Sequence, residues 1–80
     1  MPVLSNTLLL CTLPATGHKA VYEVQPQHMN DQPDTDLNTR ALRYGKQIAH
    51  EFGERWYKPE GWVEITDLRT IALLERSPCA

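Results

Sequence analysis

The chain has 80 residues, eight Lys plus Arg against ten Asp plus Glu, a formal charge of -2 and 41% hydrophobic residues. At this length folding buries only about 60% of the surface that the unfolded chain exposes, so one modest core must hold a single domain spanning 1–80. The longest apolar run, Leu8 to Cys11, is far shorter than the roughly 20 residues of a membrane-spanning helix, and a positively charged leader is missing before Lys19, so a cytoplasmic location without membrane contact is expected.

Residues 1–25 read as an antiparallel β-hairpin. The stretch from Asn6 to Leu13 is apolar on both alternating faces, as expected of a strand with neighbours on either side or with both faces covered, and Pro14-Ala-Thr-Gly17 supplies the turn. Ala20, Tyr22 and Val24 then alternate with Val21, Glu23 and Gln25 in a second strand. Residues 26–36 change composition to Pro, Gln, His, Asn and Asp and read as an acidic, polar loop. Asp34, Thr35 and Asp36 at its end are candidate N-caps.

Leu37, Ala41, Tyr44, Ile48, Phe52 and Trp56 recur at steps of three and four, which predicts one long amphipathic helix over 37–57 with Gly45 at a close approach to a strand. Lys58-Pro-Glu-Gly61 would end it. Trp62 to Thr66 alternates as a strand, and Thr70 to Glu75 suits a second, giving a C-terminal hairpin over 62–76; the same tail also fits a short helix capped by Thr66. The sum is an α+β domain of β-β-α-β-β order, an antiparallel sheet with one long helix packed on one face.

Chemistry-bearing motifs are sparse. Cys11 and Cys79 are too few for a disulfide framework and read as free thiols; His18, His28 and His50 lack the spacing of metal ligands and read as ordinary solvent-facing side chains. The oxygens of Asp34, Asp36 and Asn38 begin like a calcium loop, but Thr39 and Gly45 stand where glycine and glutamate belong. With no nucleophile or phosphate-loop motif either, a non-enzymatic protein without metal or cofactor is expected.

Two charge patterns and an aromatic cluster remain. Arg40, Arg43 and Lys46 would share a solvent face of the helix and could contact phosphates, although the near-neutral total argues against direct nucleic-acid binding. Asp31, Asp34 and Asp36 in the loop, with Glu51 and Glu54 on the helix, could face a basic groove on another protein. Tyr57 and Trp62 fall outside the core faces of their elements and have the chemistry of interface hot spots.

In size, plainness and β-β-α-β-β order the chain resembles the small phage-encoded anti-CRISPR proteins that act on type I complexes, a group without a shared sequence signature. The resemblance implies an inhibitor docked on a larger Cas effector in the host cytoplasm, blocking target DNA binding. A small nucleic-acid-binding or regulatory module using Arg40, Arg43 and Lys46 is the second expectation, and a self-associating module, such as a homodimer, is the third.

Overall fold

A computed structural model describes residues 5–29 and 36–77. Two strands, β1 (Thr7–Thr12) and β2 (Lys19–Val24), open the chain; a single turn of helix α1 (Pro26–Met29) and helix α2 (Leu37–Tyr44) follow. Strands β3 (Lys46–Phe52), β4 (Arg55–Lys58) and β5 (Val63–Glu64) come next, and helix α3 (Leu68–Glu75) closes the order. The strands form one five-stranded sheet in chain order, every neighbour antiparallel. The small α+β class with an antiparallel sheet therefore holds, while its contents differ from the expected order.

The first hairpin is as expected. Leu9 pairs with Tyr22 and Cys11 with Ala20, and Gly17 turns the chain at φ 75°. Because side chains alternate across a strand, β1 sends Leu9 and Cys11 to one face and Leu8 and Leu10 to the other, and both sets are packed. On the first face Leu9, Cys11, Val24 and Ala41 form a buried cluster with Tyr22, Met29 and Leu37 against it, so α2 lies there. On the second face Val21, Ala49, Trp56, Ile65 and Leu74 form another, joined by Leu8, Leu10, Ile48 and Ile71, so α3 lies there.

The helix expected over 37–57 is replaced by α2 and the β3–β4 hairpin. Gly45 is the place where the chain leaves the helix: its N–H donates to Ala41 O at 2.8 Å, and its backbone is already extended, at φ -80° and ψ 153°. The expected close approach is real, since a Cβ at Gly45 would lie 2.4 Å from Ala41 O and 2.8 Å from the Tyr22 Cβ. Beyond it, Gly53 and Glu54 both take positive φ, 57° and 68°, which is the two-residue turn whose twist suits a β-hairpin. The apolar stripe is thereby divided: Leu37 and Ala41 serve one face of the sheet, Ile48 and Trp56 the other.

The C-terminal hairpin expected over 62–76 is likewise corrected. Its first strand shortens to β5, and its second is the helix α3. Asp67, not Thr66, caps it: one carboxylate oxygen accepts from Arg69 N at 3.0 Å and the other from the Thr70 hydroxyl at 2.8 Å. Ile71 and Leu74 then face the core, one turn apart, while Leu68 and Leu73 stay exposed. After α3, Ser77 O accepts from Leu10 N, so the outgoing chain lies along the outer edge of β1. The polar stretch 26–36, expected to be loop, contains α1; Asp31 and Asp34 fall outside the described residues.

The crowding at Gly45 sets a stability test. Gly45→Ala forces a methyl group into Ala41 and Tyr22 and should destabilise the fold by about 1–3 kcal/mol, read as a lower urea midpoint. A second test concerns pH. The Thr70 hydroxyl and the Arg69 amide hold the Asp67 carboxyl below its usual range, and the Thr39 amide does the same for Asp36. A carboxyl depressed on folding contributes above its unfolded pKa of about 3.9 and loses that contribution as pH falls through the lower folded value. Asp67→Ala should therefore lower the melting temperature at pH 7, and the difference from the parent chain should shrink steadily below about pH 4, since the parent loses there what the variant already lacks.

Candidate functional site

The two halves of the sheet are covered differently. Around β1 and β2 a helix lies on each face, and α2 packs chiefly on these two strands, whereas Phe52 on β3 and Trp62 before β5 stay exposed on the same face. The pairing register decides what stands there. His50 is opposite Tyr57 and Phe52 is opposite Arg55, so these four share that face; Glu51 and Trp56 are opposite one another on the other side. Glu64 lies opposite Tyr57 and joins the open face from β5.

The result is a cavity of about 210 Å³ walled by His50, Phe52, Tyr57 and Trp62. His50 meets the Trp62 ring edge-on at 5.5 Å between centroids. His18, from the turn before β2, meets His50 at 5.7 Å and Phe52 at 5.4 Å in the same manner. Gln47 Nε2 lies 3.3 Å from His50 Nδ1.

Trp62 is the least expected part of this wall. It is 59% exposed and holds φ at 53°, directly after Gly61 at φ 71°. A bulky residue in the left-handed region costs about 1–3 kcal/mol, and such strain collects at binding sites because the surrounding structure holds it in place. Phe52 is 60% exposed beside it, in contrast to Trp56, which is 2% exposed beneath the opposite face. Arg55, opposite Phe52, and Glu64, opposite Tyr57, form an exposed ion pair at 3.6 Å, worth about 0–1 kcal/mol.

Of the expected partner-binding residues, Tyr57 and Trp62 come together here. The acidic set does not. Asp31 and Asp34 lie outside the described residues; Asp36 is engaged as the cap of α2, its Oδ1 accepting from Thr39 N at 2.7 Å. Glu51 points to the face opposite Tyr57, and Glu54 stands at the tip of the β3–β4 turn, because both belong to a hairpin rather than one helix flank.

The expected basic strip is dispersed for the same reason. Arg40 is 6% exposed, and its guanidinium donates to Met29 O, tying α2 to α1 instead of facing solvent. Arg43 remains on α2 with its guanidinium 6.0 Å from the Tyr44 ring, while Lys46 starts β3 opposite Glu23. The histidines, expected to face solvent, are half-buried in ring contacts: His50 walls the cavity, His18 packs edge-on against His50 and Phe52, and His28 stacks on Tyr44 at 4.5 Å.

His50, Phe52 and His18 were missed as site residues. The signal was present in the Gly53-Glu54 pair between two stretches of strand-forming residues, which as a hairpin places His50, Phe52 and Tyr57 on one face. Among the described residues no group of three His, Cys, Asp or Glu side chains could hold a metal ion, and no helix is long and apolar enough to cross a membrane. Comparison of the chain with protein families, with curated proteins and with solved structures gave no match.

The strain at Trp62 separates folding from binding. Trp62→Asn places a residue that tolerates the left-handed region and should leave unfolding free energy within about 1 kcal/mol of the parent chain, by urea titration, while removing a wall of the cavity.

Proposed function

We propose that this chain is a non-enzymatic protein-binding domain that docks on a larger bacterial complex through the open aromatic face of β3, β4 and β5. The observation that carries the reading is the concentration of Phe52, Tyr57 and Trp62 on one uncovered sheet face. Aromatic side chains bring large, stiff contact area at small entropic cost and are enriched among the residues that dominate interface energies. A nucleic-acid surface would need cations converging on the same face. Here Arg55 is drawn to Glu64, and Arg40, Arg43 and Lys46 have other settings.

Within that class we infer an inhibitor of a type I CRISPR-Cas effector, acting in the bacterial cytoplasm. The support is the small size and α+β class of the chain together with a face fit for protein contact; the β-β-α-β-β order named in the resemblance is replaced by β-β-α-α-β-β-β-α and lends none. The reading centres on Tyr57 and Trp62 in place of the acidic loop.

The test mixes the full chain with a type I effector and labelled target DNA. Stoichiometric protein should abolish DNA binding, and Trp62→Ala or Tyr57→Leu, each still giving a folded circular dichroism spectrum, should raise the concentration needed at least tenfold, the equivalent of about 1.4 kcal/mol. An effector that neither binds the chain nor loses DNA would end the inhibitor reading. Salt-sensitive binding of the isolated chain to oligonucleotides, lost with Arg43→Gln and Lys46→Gln, would replace the protein-binding reading with a nucleic-acid module.

A further inference from the structure

We infer that the cavity between His50, Phe52, Tyr57 and Trp62 is a binding site for an alkylated ammonium group, such as the trimethylammonium of choline or of trimethylated lysine. This site does not depend on the protein-docking reading. Four ring side chains wall a space of about 210 Å³, and among them His50 and Trp62 meet edge to face at 88°. An edge-to-face pair forms a corner in which a guest can lie against ring surface on two sides, and ring faces carry the negative lobe of the quadrupole. Tryptophan is the strongest contributor of this kind, and here Trp62 is held in place at the expense of backbone strain.

The lining also selects among cations. It is almost wholly apolar, so a bare ammonium would lose its water without gaining acceptors, whereas N-methyl groups have little to lose. A carboxylate belongs to the same face. Glu64 is paired with Tyr57 across the β4–β5 ladder, where directly opposed residues have Cβ atoms about 4.5–5.5 Å apart, and its carboxylate meets the Arg55 guanidinium at 3.6 Å. That pair is exposed and weak, so the carboxylate remains open to a cation brought by a ligand.

The probes are tetramethylammonium, choline and 3,3-dimethylbutanol, the last a neutral isostere of choline, titrated into the isotopically labelled full chain. The two indole N–H signals form a matched pair, since Trp62 walls the cavity and Trp56 is buried beneath the other face. Both cations should shift the Trp62 signal saturably and leave Trp56 unmoved, and the neutral alcohol should bind at least tenfold more weakly. Glu64→Gln should weaken choline several-fold, and Arg55→Gln should strengthen it by releasing the carboxylate; neither surface change threatens the fold. A peptide bearing one trimethyl-lysine, run beside choline, shows whether the group is preferred on a protein side chain or as a small free ligand. Equal binding of the neutral alcohol would overturn the proposal in favour of a merely apolar cavity. An unsaturable or absent shift at Trp62 in a spectrum that remains dispersed would also overturn it, while loss of effector inhibition would bear on the docking reading alone.

Discussion

The fold depends on the contact between the backbone of Gly45 and the side chains of Tyr22 and Val24. Any Cβ at that position would crowd Ala41 O and the Tyr22 Cβ, so α2 settles on β2 without displacement when its last turn ends in a residue with no side chain. Ending there, the chain is delivered beside β2 in extended form and pairs with it as β3, Ala20 against His50 and Val21 against Ala49. Everything later inherits that placement. The side chains of β3 are assigned to faces by this register, and β4 and β5 are added outward from it. Had the helix run on, residues 46–56 would have covered the sheet instead of extending it, and the aromatic face would not exist.

The same contact explains why coverage is uneven. α2 has eight residues, about 12 Å of helix at 1.5 Å per residue, while neighbouring strands are spaced about 4.8 Å apart. Seated over β1 and β2, it cannot also roof the strands added after it. α3 returns along the opposite face, where Ile71 and Leu74 join Trp56 and Ile65 in one cluster, so burial there extends as far as β4, and only Val63 on β5 stays exposed among the large apolar side chains of its strands. One quadrant is left bare, and it carries His50, Phe52, Tyr57 and Trp62. A register slip of one residue in β3–β4 would have buried these rings and exposed Trp56. The local bulge between Val21 and Tyr22 against β3 lets Ile48 join Ala49 in the closed face while His50 keeps to the open one.

The first hairpin was legible because two short apolar runs flank a turn that contains both Pro14 and Gly17; of the two readings of β1, both faces are indeed covered, while as the edge strand it has a strand neighbour on one side only. The long helix misled for a definite reason. Ala41 and Tyr44 are true helical neighbours, but the steps from Tyr44 to Ile48, Phe52 and Trp56 are each four residues, and four is close to one helical turn and equally two full strand repeats. The pattern is degenerate there, and local turn chemistry at Gly45 and at Gly53-Glu54 decides it. In the tail, Leu68, Ile71, Leu73 and Leu74 satisfy either period over a short run, and the deciding feature is the Asp67 side chain, which meets Arg69 N and the Thr70 hydroxyl.

The site was half legible for a related reason. Tyr57 and Trp62 stood out as aromatics with no place in the core, and that judgement needs only local pattern. The charges around them needed the correct element. On a helix, Glu51 and Glu54 are neighbours one turn apart; on a tight hairpin, Glu51 is in a strand beneath the sheet and Glu54 is at the turn. Arg40 shows the converse, a residue that helical spacing assigns to solvent and that the short α1 draws inward through Met29 O. Aromatic and charged residues thus fail differently when an element is misread. An uncovered ring stays near its sheet neighbours whatever carries it, whereas a charge pattern exists only as a geometric relation between positions. Tyr57 and Trp62 therefore still share a face after the change of element, where Phe52 joins them from the expected core stripe, whereas the acidic and basic strips lose their geometry.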